Sequence, residues 1–195
     1  MIFLSDGVFA IAMTLLVLDL RLPPMAVASS AALRDALLSD IPHFISFFIS
    51  FEVIGIFWLA HLRMFSLIMR YTRGLAFLNL LFLMSIAVMP FSTTLAGEYG
   101  AVRLAVVFYS ASLVFTGVAL NLMWFYASRG RRLLDPHASR TDIAVVTARG
   151  LVTVAFFLVA TGLAFISVGL ARAAWITIPF ATRIAERIAR RRSSR

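Results

Sequence analysis

The 195-residue chain contains no cysteine. That absence excludes disulfide staples, thiolate nucleophiles and cysteine-ligated zinc or iron–sulfur centres. Charge is almost as scarce: charged side chains make up 14% of the sequence, against about a quarter in an ordinary soluble domain. Lysine is missing altogether, so the 18 basic residues are all arginine, set against 9 acids for a formal charge of +9. The sequence has no glycine-rich phosphate loop and no nucleophile elbow. Its three histidines, His43, His61 and His137, stand too far apart in sequence to form a His-Glu-x-x-His metal motif. These gaps leave no basis for an enzyme, and no cofactor or resident metal is expected. The start also lacks a basic stretch ahead of its first apolar run, which Asp6 interrupts early, so no cleavable leader is expected.

Apolar residues fill the space that charge leaves: 62% of the chain, with a mean hydropathy of +0.95. A water-soluble globule is excluded by that figure alone. A bilayer-spanning helix takes about 20 mostly apolar residues, and the chain offers six candidates, at about 2–22, 41–62, 74–96, 104–128, 148–168 and 170–184, with a basic tail over 185–195. The runs Gly74–Ala96, Leu104–Ser128 and Gly150–Ala171 contain no charged residue. The second span carries Glu52 near its middle, the first is bracketed by Asp6 and Asp19, and the sixth is short. The connections are brief, the longest about 23–40 and 129–145, so no separate soluble domain is expected.

Arginine positions test this count, because cytoplasmic loops of membrane proteins collect Lys and Arg. With six crossings and both termini inside, Arg63, Arg70, Arg73, Arg129, Arg131, Arg132, Arg140, Arg149 and the arginines of the tail all fall on one side. Arg21, Arg34, Arg103 and Arg172 are left on the other. The expectation is an all-α, multi-pass protein of the cell inner membrane. The high charge is a topology signal rather than a nucleic-acid surface, and the tail is a possible binder of anionic headgroups.

The first span is the unusual one. Ser5 and Asp6 suit a helix N-terminus, where their oxygens could cap free N–H groups. Intramembrane carboxylates, however, cost about 2.5–3.5 kcal/mol on insertion scales and turn toward protein or water. Ile11, Thr14, Leu15 and Leu18 recur at i, i+3, i+4 and i+7 and share one stripe, which taken alone suits a helix-packing seam.

The run Ser5-Asp6-Gly7-Val8-Phe9-Ala10-Ile11-Ala12-Met13-Thr14-Leu15-Leu16-Val17-Leu18 resembles the first-helix signature of the transmembrane protein 175 family, prokaryotic and endolysosomal potassium channels. Phe57-Trp58-Leu59-Ala60-His61-Leu62-Arg63 is similar to that family's Trp-x-x-His segment, and Asn79-Leu80-Leu81-Phe82 with Met89-Pro90-Phe91-Ser92 to its third helix. The likeness covers about the first 95 residues; beyond them only hydropathy agrees. It departs in two places: Leu4 stands where the family has Phe, and the family's Arg would fall one residue before Met1, so the natural start is expected upstream.

The resemblance implies a potassium-permeable pore lined by the first helix, built from four copies because each chain carries one six-helix repeat. It also implies no carbonyl filter of the Thr-Val-Gly-Tyr-Gly kind, and the sequence contains none. Carried over by position, Ile11 forms the narrowest apolar ring, Thr14 a hydroxyl ring one turn outward, and Leu15 and Leu18 the rest of the path. Trp58 and His61 are implied to hydrogen-bond Ser5 and Asp6, with Asn79 joining as a buried amide. Proton sensing by His61 is a second reading of that imidazole. Glu52 is expected as a buried, neutral, hydrogen-bonded carboxyl. The rival reading is a small proton-coupled carrier using Asp6, Asp19 or Glu52 as a relay.

Overall fold

The computed structural model describes residues 1–21, 29–167 and 169. The expected sixth span and the basic tail lie outside the described residues. Six α-helices make up the rest: α1 (Ile2–Leu15), α2 (Ser30–Ser39), α3 (Ile41–Phe65), α4 (Arg73–Glu98), α5 (Arg103–Ser128) and α6 (Arg140–Ile166). Among the described residues there is no strand beyond one isolated bridge, Ile68 to Leu134. Among the described residues five stretches are long and apolar enough to cross a membrane: Ile2–Asp19, Ile41–Phe65, Arg73–Glu98, Arg103–Arg131 and Arg140–Ile166.

Local chemistry sets the helix ends. Thr72 accepts a hydrogen bond from the Leu75 amide at 3.2 Å to start α4, and Ser139 accepts from the Asp142 amide at 2.9 Å to start α6. Asp142 also places an acid in the first turn of α6, where the helix dipole favours it. Because of this cap α6 begins at Arg140, well before the expected residue 148, and takes in part of what had been assigned to the connection. The first span tightens into a 3₁₀ turn over Leu16–Asp19. The 23–40 connection is not all loop: Ser29 caps Ala32 at 3.1 Å, and the Ala- and Leu-rich run behind it forms α2.

α4 is central, packing on α1, α3 and α5, and α6 lies along α5. The last contact is very close. Asn121 donates to the Gly117 carbonyl at 2.8 Å and to the Gly150 carbonyl at 3.1 Å, so one amide spans α5 and α6. A Cβ at Gly150 would lie 2.3 Å from Asn121 Oδ1. Small residues of this kind let helix backbones approach in a bilayer, where apolar burial alone gives little drive.

The bundle has two unlike ends. At one, the α3–α4 connection is tied to the α5–α6 connection by Met69 N to Leu133 O and Asp135 N to Leu67 O, both 2.9 Å, and Arg63 pairs with Asp142. Arg70, Arg73, Arg129, Arg131 and Arg132 cluster at this arginine-rich end. At the other end Asp19 accepts from Thr94 Oγ1, and Asp40 meets His43 at 2.8 Å.

Candidate functional site on the first helix

The first span, α1 with the 3₁₀ turn that follows it, turns two different faces to its surroundings. Ser5, Phe9, Ala12 and Leu16 are buried against α3 and α4. Leu4, Ile11, Thr14, Leu15 and Leu18 are exposed, Ile11 at 60%. The stripe picked out by spacing is therefore not a packing seam within the chain.

The buried face is held by side-chain bonds at the arginine-rich end. Trp58 Nε1 of α3 donates to Asp6 Oδ1 at 2.9 Å. His61 Nε2 lies 2.9 Å from Asn79 Oδ1, and Asn79 Nδ2 donates to Ser5 Oγ at 3.2 Å. Ser5 Oγ in turn lies 3.2 Å from the Met1 carbonyl. With the Asn79 amide nitrogen committed to Ser5, its oxygen accepts, so the proton sits on His61 Nε2. The other ring nitrogen, Nδ1, is buried with no hydrogen-bond partner among the described residues. Aromatic rings enclose the imidazole: Phe82 stacks on it at an interplanar angle of 7°, and the Phe65 centroid is 4.3 Å away.

Ser5, Asp6, Trp58, His61 and Asn79 thus come together, with two differences from expectation. His61 reaches Asn79 rather than Asp6, because two residues three apart share a helix face that is wide enough to touch two neighbours. Neither Ser5 nor Asp6 caps the helix, since α1 already starts at Ile2 with Met1 as its flanking residue. Glu52 is a correction: it is exposed on the outer face of α3 and not buried in the chain. Its neighbours on that face, Phe48 and Leu59, are exposed as well, because α1, α4 and α5 pack on the other sides of α3.

On the exposed face, Thr14 Oγ1 donates back to its own helix, 2.9 Å from both the Ala10 and the Ile11 carbonyls. The hydroxyl hydrogen is used up, and Thr14 is exposed, so its oxygen can still accept. Ile11, Leu15 and Leu18 offer no such donor atoms.

Sequence reasoning missed a second polar cluster nearer the far end, where Thr93 donates to Ser50 at 2.9 Å and Ser50 meets Tyr109 at 3.2 Å. It joins α4, α3 and α5. Its signal was lone hydroxyls in otherwise apolar spans.

Known proteins resemble this chain in sequence and in fold. Residues 1–90 match the profile of the family described as "Endosomal/lysosomal potassium channel TMEM175". A protein of Chamaesiphon minutus named a potassium channel is 36% identical over 169 residues, 85% of this chain and 83% of that one. A human protein named an endosomal/lysosomal proton channel TMEM175 is 38% identical over 92 residues, 44% of this chain but 18% of its own length. The crystal structure of a lysosomal potassium-selective channel TMEM175 homolog from Chamaesiphon minutus superposes with a TM-score of 0.82 at 30% identity, covering 94% of this chain and 95% of that one. The fold, the first-helix signature and the near full-length relative lead to one conclusion: this chain is a member of the TMEM175 family of membrane channels.

Proposed function

We propose that the protein is a potassium-permeable channel, conducting passively through a pore that four copies enclose with α1. The observation that carries this reading is the division of α1: one face is bonded to α3 and α4, while Ile11, Thr14, Leu15 and Leu18 are exposed and have no described helix packed over them. One chain supplies too few such faces to surround a path, whereas four facing an axis would make a ring of Ile11 side chains. Such a ring resists a hydrated ion by dewetting, and the Thr14 oxygens one turn on replace part of the lost water. The relatives that carry potassium in their names support the choice of ion.

Asp6, Trp58, His61, Asn79 and Ser5 act as the anchor that keeps this face on the axis. The carrier reading is disfavoured because two of its three carboxyls already accept bonds, Asp6 from Trp58 and Asp19 from Thr94. The protein sits in the cell inner membrane with both termini and the arginine-rich end in the cytoplasm, following the charge bias.

Single-channel recording of purified protein in planar bilayers under a potassium gradient tests this. Unitary, non-saturating currents that reverse near the potassium equilibrium potential are expected, together with a tetramer in native mass spectrometry. Saturating flux with fixed proton stoichiometry would overturn it in favour of a carrier. Because the human relative is named for protons, the same bilayers are run under a proton gradient; reversal that follows protons alone would replace the ion and keep the pore.

A further inference from the structure

The two connections that meet at the arginine-rich end are joined backbone to backbone: the Met69 and Arg70 amides donate to the Leu133 carbonyl, and the Asp135 amide donates to Leu67. Beside this seam lies an open hollow of about 670 Å³, a size that small ligands occupy. Its polar lining is Arg70 from the α3–α4 connection and Arg131, Arg132, Asp135 and His137 from the α5–α6 connection. Three guanidiniums thus stand around one space with a single carboxylate. Asp135 turns Oδ1 toward the His137 amide, which donates to it at 2.8 Å. Among the described residues no ion pair reaches Arg70, Arg131 or Arg132.

The bias of arginine toward one side of a membrane accounts for the end of the bundle that holds these residues. It does not account for arginines of two separate connections lining one hollow, where like charges repel. The backbone gives a second sign. Gly130 and Arg131 both have positive φ, 64° and 55°. Glycine takes that conformation freely, whereas a long side chain rarely does, and such residues gather at binding sites. The Arg131 guanidinium donates to the Ala138 carbonyl, which fixes its direction and leaves other N–H groups to donate elsewhere. The end of the chain does not answer the charge, since 185–195 sets Arg187, Arg190, Arg191, Arg192 and Arg195 against Glu186 alone. A phosphate group does, because it carries up to two negative charges and presents paired oxygens to a planar guanidinium fork.

We propose that the hollow between the α3–α4 and α5–α6 connections binds a phosphate-bearing anion, held between Arg70 on one side and Arg131 and Arg132 on the other. Lipid headgroups and soluble phosphate compounds share this chemistry. Such an anion bridges the two connections, so its binding raises thermal stability.

Thermal unfolding of the full-length protein in detergent tests this, with readings that do not depend on ion conduction. The probes are dioctanoyl phosphatidic acid, dioctanoylglycerol as its counterpart without phosphate, and inorganic pyrophosphate, all at one ionic strength set with chloride. A saturable rise of the midpoint is expected with phosphatidic acid, pyrophosphate or both, and none with dioctanoylglycerol. Phosphatidic acid acting alone assigns the site to a lipid headgroup; a response to pyrophosphate assigns it to soluble phosphate compounds. Arg70→Gln and Arg132→Gln should each weaken binding about fivefold, one guanidinium's share of such an attraction. Both side chains are exposed, so the midpoints without ligand should match wild type. Asp135→Asn removes the opposing charge and should tighten binding. Arg129→Gln, at an exposed arginine of the same end that does not line the hollow, should leave it unchanged. No rise with either phosphate probe would overturn the proposal, as would unchanged binding by Arg70→Gln and Arg132→Gln, or weakening by Arg129→Gln equal to theirs. A hexaglutamate peptide that raised the midpoint as far as the phosphate probes would overturn it in favour of an acidic protein segment.

Discussion

Along the first span, α1 and the 3₁₀ turn that follows it, Ser5, Phe9, Ala12 and Leu16 turn inward while Ile11, Thr14, Leu15 and Leu18 turn outward. In water the larger aliphatic residues would settle this by going inside. In a bilayer they gain little by it, because lipid tails are as apolar as leucine. The inward face is chosen by bonds that lipid cannot supply, Trp58 to Asp6 and Asn79 to Ser5, and by Ala12, whose small side chain permits close contact. The apolar stripe is left over and becomes available for a pore. The two faces should therefore fail in different ways when altered, one through stability and the other through conduction.

The largest effect is expected from Asn79→Leu. His61 Nε2 and Ser5 Oγ would both lose a buried partner, a cost of about 1–3 kcal/mol for each group left unpaired. That exceeds the ~0.6 kcal/mol average of interhelical hydrogen bonds in membranes. Thermal unfolding in detergent should shift down by several degrees, with loss of the proposed tetramer, and an unchanged midpoint would count against the anchor.

Trp58→Phe keeps the ring but removes the donor to Asp6. We expect a smaller loss of thermal stability than for Asn79→Leu, about 1 kcal/mol, the usual worth of one such bond. If Asp6→Asn in the Trp58→Phe background costs as much as it does alone, the two side chains are not coupled.

Ile11→Asn should leave the melting midpoint within about 0.5 kcal/mol of wild type, as surface changes usually do. Conductance should rise and the preference for potassium over sodium should fall. An effect on stability with none on current would reverse the roles assigned to the two faces.

Thr14→Val sharpens the comparison most finely, because it keeps the shape and removes the exposed hydroxyl oxygen. The expected outcome is a reversal potential displaced by a few millivolts in mixed potassium and sodium, with stability unchanged.

The five described spans were legible because long charge-free runs and the clustering of arginine at one end are both large signals. The stripe on α1 was legible as periodicity, but its direction was not: spacing says which residues share a face, and only the bonds of Ser5 and Asp6 decide which face goes inward. The same limit separates Trp58 from His61, which share a helix face but serve different neighbours. Glu52 was misjudged because position along a span fixes depth and not azimuth; packing of α1, α4 and α5 on the opposite sides of α3 left it outside. α2 was missed because ten residues of low hydropathy resemble a loop until the Ser29 cap is seen.

The central claim is that α1 lines the ion path, and the absence of cysteine makes it directly measurable. Silver ions, similar in size to potassium and reactive toward thiolates, would be added during potassium current through single-cysteine variants at Thr14 and Leu18 on the outward face, Ala12 on the inward face, and Val159 on the exposed surface of α6. The account predicts rapid irreversible block at Thr14→Cys and Leu18→Cys, with wild-type currents persisting at Ala12→Cys and Val159→Cys. Equal block at all four positions, or none at Thr14→Cys and Leu18→Cys, would contradict it.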